Sequence, residues 1–242
     1  MRSLLIGPKM GDFIHALILP KYLNDQNGER FNIYITERVD IERFGTSLTM
    51  SYNELFPILS KQKYVNDFQI WNGESIDYDL TTFRKFDNLF DTSWNEFYLW
   101  NYIGSHIEVP FNYSWIDVEK NDMYKNTLLI NRNYGQPVND YIESHYLNYI
   151  KAYKGKAFFV CSNTEQYTSS SFNGLIPMIY LPSLNDMVTA ISSCDHFLGN
   201  FTGTSAIATA LNTPRTVEVT ARIDRSKYIF EMRNYNNLSC FG

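Results

Sequence analysis

Between residues 127 and 219 the chain alternates short apolar runs with amphipathic stretches, joined by brief turns. This alternation restricts the fold more than any single motif. TLLIN (127–131), AFFVC (157–161), a stretch within 176–181, residues 196–198 and RTVEV (215–219) read as strands. Residues 138–153 place Val138, Tyr141, Ile142, Tyr146, Leu147 and Ile150 on one side of a helix. Ser183 is a natural N-cap for a helix over 184–192, and residues 205–211 are small and helix-forming. Residues 228–235 read as a terminal helix. Strand–helix alternation with short turns predicts an α/β fold with a parallel, doubly wound sheet.

The first half repeats the pattern more weakly. RSLLI (2–6) is a strand ended by Gly7-Pro8, and Gly11-Asp12 follow in a polar loop. Residues 13–23 suit a helix that Pro20 should end or kink. FNIYI (31–35) is a second strand, 52–59 a short helix interrupted by Pro57, 65–71 and 77–80 further strands, and 94–103 an aromatic helix or irregular segment. Residues 109–124 are polar and irregular and read as the connection between halves. The expected organisation is two Rossmann-like parallel-sheet domains, 1–115 and 125–242, facing a cleft. Ligands in such sheets sit beyond the carboxyl ends of the strands.

The composition supports a real core and narrows the function. Of 242 residues, 44% are hydrophobic and 16% aromatic, which argues against disorder. The net charge of −5 argues against a general nucleic-acid binder. Cys161, Cys194 and Cys240 are far apart, with no zinc-ligand spacing, so no metal is expected. Met1 to Leu5 enter a strand directly, without a signal-peptide core, and no long apolar run suggests a membrane span. A cytoplasmic protein is expected, in which the sequons at Asn112, Asn200 and Asn237 carry little meaning. Abundant Tyr, Asn, Ile, Phe and Lys fit an AT-rich genome, such as a virus or a low-GC bacterium.

The segment from Leu198 to Pro214 reads strand, turn, helix, stop. Thr202, Gly203, Thr204 and Ser205 form a turn of small residues and hydroxyls at the start of the helix. A helix N-terminus exposes unpaired amides and partial positive charge, which suits a phosphate. An ordinary N-cap explains the same residues without a ligand. No GxGxxG follows the first strand and no GxSxG occurs, which argues against a nicotinamide enzyme and a serine hydrolase.

Two motifs at opposite ends of the chain resemble those of heptosyltransferase-like glycosyltransferases, two-domain enzymes of the GT-B fold. The first is Met10-Gly11-Asp12-Phe13-Ile14-His15. The second runs from Ser183-Leu184 through Ile191 and Asp195 to Gly199-Asn200-Phe201-Thr202-Gly203-Thr204 and on to Pro214. The resemblance implies an inverting, metal-independent transfer of a sugar from a nucleotide-diphosphate donor to an acceptor hydroxyl, with no cofactor. It puts Asp12 at the catalytic base, with Gly11 and His15 on the acceptor side. It puts Thr202, Gly203, Thr204 and Ser205 at the diphosphate, with Arg132 near the phosphates and Glu165 lining the nucleotide pocket alongside Gln166 and Tyr167. For Asp12 an N-cap role, for His15 a packing role and for Arg132 and Glu165 a solvated loop are the alternatives. Arg222 and Arg225 are further candidates for the cleft. Two departures stand out: the family's Asp and His in the second motif fall on Phe201 and Ala206. A degenerate nucleotide- or glycan-binding protein without catalysis therefore stands beside the enzyme, and an unrelated α/β enzyme such as a sugar-nucleotide epimerase is the third reading.

Overall fold

The computed structural model describes residues 1–37, 47–86, 93–104, 107, 109–110, 112–132, 140–218 and 238–241. The chain divides into two compact units, Met1–Asp117 and Val118–Gly242.

The first unit holds a four-stranded parallel sheet in the order β3-β2-β1-β4. Its strands are β1 (Arg2–Ile6), β2 (Phe31–Ile35), β3 (Val65–Ile70) and β4 (Tyr78–Asp79). Four helices cover it: α1 (Met10–Ala16), α2 (Ile18–Asn27), α3 (Leu48–Leu59) and α4 (Trp94–Ile103).

Helix boundaries depart from the sequence expectation in instructive ways. The helix expected over 13–23 is two helices that break at Leu17. Pro20 causes the break upstream of itself, because its ring excludes a helical carbonyl four residues back. Pro20 then occupies the first turn of α2, where an absent amide costs nothing. Gly11 and Asp12, expected in a loop, form the first turn of α1. Helix α3 starts four residues before the expected position, because Ser47 caps it by accepting from the Met50 amide at 3.1 Å. It also runs through Pro57 without stopping.

Within the segment read as a connection, Trp115, Ile116 and Tyr124 are buried. Trp115 is fully buried, and its indole Nε1 donates to the Ile14 carbonyl at 2.8 Å. Tyr64 Oη donates to the Trp115 carbonyl at 2.7 Å. The Gln62 side chain meets both backbone groups of Asp117, accepting from its amide at 2.9 Å and donating to its carbonyl at 3.0 Å. A backbone that leaves a core needs such partners. Within the second unit, the Asn121 amide donates to Ser193 Oγ at 2.8 Å.

The second unit holds a six-stranded parallel sheet in the order β10-β9-β8-β5-β6-β7. The strands are β5 (Leu128–Asn131), β6 (Ala157–Cys161), β7 (Met178–Tyr180), β8 (His196–Asn200), β9 (Arg215–Glu218) and β10 (Leu238–Phe241). The helices are α5 (Asp140–Ala152), α6 (Thr164–Thr168), α7 (Leu184–Ser193) and α8 (Gly203–Ala210). Every residue of β5 and β9 is buried, as in a sheet covered on both faces. Leu128, Ile130, Phe159 and Leu198 meet Ile142 and Tyr146 of α5 in one core cluster. Ser183 caps α7 as expected, accepting from the Asp186 amide at 3.1 Å. Helix α6 and strand β10 were not legible in the sequence. The expected helix over 228–235 lies outside the described residues.

This strand order has one reversal. From β5 the sheet grows toward β6 and β7, whereas β8, β9 and β10 lie on its other side. Right-handed crossovers then put α5 and α8 on opposite faces. The carboxyl ends of β5 and β8 flank the switch point, where ligands bind in sheets of this kind.

Candidate functional site

Groups from β5, β6, β8 and α8 converge at the switch point. Asn131 pairs with Gly199 in register, so the ends of β5 and β8 run side by side. They approach closely: a Cβ on Gly199 would stand 2.4 Å from the Asn131 carbonyl oxygen and 3.1 Å from the Phe197 ring. Only glycine fits there. Beyond β8 the chain turns through Phe201 and Thr202 into α8.

The first turn of α8 is tightly arranged. Thr202 is its extended N-cap, at φ −144° and ψ −178°. Ser205 closes the turn, accepting from the Thr202 amide at 3.1 Å and donating to the Thr202 carbonyl at 2.8 Å. Thr202 Oγ1 and Thr204 Oγ1 are 2.8 Å apart, and Thr204 Oγ1 donates to Asn131 Oδ1 at 2.9 Å. As first residues of the helix, Gly203 and Thr204 have amides with no intrahelical acceptor, at the positive end of the helix dipole. Thr202, Gly203 and Thr204 are partly exposed, whereas Ser205 is buried. The hydroxyl protons of Ser205 and Thr204 are directed inward, to the Thr202 carbonyl and to Asn131 Oδ1, so the amides are the donors at the open start of the helix. That is a narrower set of donors than the sequence implies.

Arg132, one residue past β5, faces the opposite side of the sheet. Its guanidinium is paired with Glu218 at the end of β9: Nε donates to Oε2 at 2.6 Å and Nη2 to Oε1 at 2.8 Å. Arg132 is 4% exposed and Glu218 fully buried. Tyr146 of α5 donates to Glu218 Oε2 at 3.0 Å. Burial and the adjacent Glu218 carboxylate push the Tyr146 phenol well above its ordinary value. A shallow recess on this face is lined by Arg132, Tyr146 and Phe172. Arg132 is thus built into an internal ion pair rather than a solvated loop. Glu218 and Tyr146 were not singled out as site residues from sequence, because nothing in RTVEV announces an ionic partner for a residue 86 positions away.

Glu165 is exposed on α6, whose start is capped by Asn163 Oδ1 accepting from the Glu165 amide at 2.9 Å. Its neighbour Gln166 donates through Nε2 to the Arg132 carbonyl at 3.1 Å, tying α6 to the end of β5. Ala206 is buried at 2% exposure, and Phe201 is half-buried. Neither presents the polar side chain that the resemblance would put there. Arg222 and Arg225 lie outside the described residues.

In the first unit, Asp12 is the third residue of α1, and the N-cap is Lys9. The N-cap alternative for Asp12 therefore does not hold. Its Oδ2 pairs with Arg84 Nη2 at 2.5 Å and lies 3.9 Å from Lys9 Nζ. Arg84 ends a 3-10 turn (Leu80–Lys85) after β4 and is a partner that the sequence did not reveal. Gly11 is half-buried beside Asp12. His15 is 3% exposed and stacks on Trp94, with ring centroids 5.5 Å apart and planes at 11°. That is a packed core histidine.

Among the described residues, no group of three or more His, Cys, Asp or Glu side chains is placed to hold a metal ion. Cys161 and Cys194 are buried thiols, and burial pushes Cys194 up to about 12. No helix among the described residues is long and apolar enough to cross a membrane.

No protein-family model matches the chain, and no curated protein matches it by sequence. Solved structures do match. E. coli heptosyltransferase WaaC, solved with ADP, superposes with a TM-score of 0.61 at 12% identity, over 99% of this chain and 92% of that one. A family 9 glycosyl transferase from Veillonella parvula superposes at 0.60 and 10% identity, over 99% and 85%. The iron-containing dodecameric glycosyltransferase TibC from enterotoxigenic E. coli superposes at 0.55 and 10% identity, over 93% of this chain and 59% of that one. In fold, this chain is an α/β protein of two parallel sheets, similar to these glycosyltransferases.

Proposed function

We propose that this chain is a glycosyltransferase that moves a sugar from a nucleotide-diphosphate donor to an acceptor hydroxyl, with inversion and without a metal. The observation that carries the reading is the first turn of α8 at the switch point of the second sheet. Its amides present donors and positive dipole to an anion. The fold likeness to WaaC, a protein solved with ADP, supports the same reading.

In the proposed reaction the Asp12 carboxylate takes the proton from the acceptor hydroxyl. The acceptor oxygen attacks the anomeric carbon from the face opposite the diphosphate. The carbon–oxygen bond to the diphosphate breaks, and the nucleoside diphosphate leaves with the electron pair. Its charge is held at the start of α8, where preorganised amides cost no reorganisation as charge develops. Residues 1–115 are assigned to the acceptor side and residues 125–242 to the donor.

Calorimetry against a panel of nucleoside diphosphates tests the reading. One member should bind with a clear heat, and Gly203→Val should abolish it. A panel with no binder removes the reading. Binding without turnover across many donors and acceptors would instead identify a nucleotide-binding protein that has lost the chemistry.

A further inference from the structure

Asn131 is 5% exposed, yet its side chain is fully engaged in one direction. Nδ2 donates to the Val160 carbonyl of β6 at 2.7 Å. A carbonyl only accepts, so this bond fixes the orientation of the amide. Oδ1 is therefore the atom that faces α8, and Thr204 must give its hydroxyl proton to it, at 2.9 Å. Thr204 Oγ1 then has only lone pairs left for Thr202 Oγ1, 2.8 Å away. A single buried amide thus links a central strand edge to the first turn of the helix and sets the polarity of two hydroxyls.

We propose that Asn131 is a positioning residue for the nucleotide diphosphate, acting through Thr204. It holds the Thr204 side chain inward, with the Thr202 hydroxyl donating to Thr204 Oγ1, and so aims the Gly203 and Thr204 amides, which contact the phosphate. Thr204 serves as a spacer rather than as a phosphate ligand. The proposal rests on the donor-site reading above. It goes beyond that reading by naming a residue that touches no ligand.

The test compares affinities for the nucleoside diphosphate that the wild-type chain binds best, together with melting temperatures, for Asn131→Leu, Thr204→Val, their double variant and Thr204→Ser. Asn131→Leu and Thr204→Val should each weaken binding about tenfold, measured well below the lowest melting temperature. The double variant should lose no more than either single, because the two residues act as one unit. Thr204→Ser, which keeps the hydroxyl, should bind like wild type. Wild-type affinity in Asn131→Leu, with only a lower melting temperature, overturns the proposal in favour of a purely structural amide. A loss in Thr204→Val that Asn131→Leu does not share also overturns it, by making Thr204 a direct ligand. If the wild-type chain binds no nucleoside diphosphate, it is the donor-site reading that fails.

Discussion

Arg132 and Glu218 close a two-pronged ion pair across the end of β8, one from beyond β5 and the other from the last position of β9. Both are buried, and Tyr146 adds a third bond from α5. Removing one partner leaves an uncompensated charge, so Glu218→Ala should cost about 3–5 kcal/mol. Replacing both, as Arg132→Met with Glu218→Leu, should cost much less. Urea unfolding of the three variants checks the ordering.

Gly199 should tolerate no side chain. Alanine brings a methyl group to 2.4 Å from the Asn131 carbonyl, and backbone cannot swing away as a side chain can. Gly199→Ala should destabilise by about 1–3 kcal/mol, the range for overpacked cores. It should also weaken any nucleotide binding, because the strand end that moves leads into α8. Thermal unfolding and calorimetry on the same sample report the two effects.

His196 gives a pH dependence whose sign follows from its surroundings. It stacks on Tyr149 and shares a hydrogen bond of 2.9 Å with Thr216 Oγ1. Burial pulls it down to about 4, against the opposing pull of Asp195 and with help from Arg215. The unfolded chain therefore binds this proton first as pH falls. Its contribution is complete above about 6.5 and is lost between there and about 4. The melting temperature should drop across that window, and His196→Gln should flatten the drop. Asp77, whose carboxylate is held below its ordinary 3.8 mainly by hydrogen bonds from Ser3, acts in the same direction at lower pH.

Asp12→Asn separates binding from chemistry. The variant keeps the shape of the side chain beside Arg84 and removes the base. Turnover should fall about 10²–10⁴-fold, the usual worth of a general base. Nucleoside diphosphate affinity should stay within twofold of wild type. Full activity in Asp12→Asn would move the base elsewhere.

The parallel sheets were legible because periodicity reports burial directly. LLIN and AFFVC are apolar enough to announce buried strands, and Ser183 announces its helix through a local hydrogen bond. The second-motif turn was legible as a helix start because Thr202 and Ser205 close it through neighbours in sequence. What stayed hidden depends on distance along the chain. Arg84 meets Asp12 across 72 positions, and Thr204 meets Asn131 across 73. No local pattern encodes such pairs. Strand β10 was hidden too, since LSCF carries little strand signal and is defined by pairing with β9. The burial of Trp115 stayed hidden because a polar neighbourhood masks one buried ring.

The Gln62 clamp on Asp117 bears on how proteases see this chain. Glu119 and Lys120 are exposed, and Lys120 invites trypsin. A protease needs an extended stretch on both sides of the bond it cuts, and here little slack exists. Asp117 is held at both backbone groups on one side, and Asn121 is tied to Ser193 on the other. Exposure alone does not make Lys120 a cut site. Loosening Gln62 does, so the side chain that holds the end of the first unit also guards the exposed peptide bonds around Lys120.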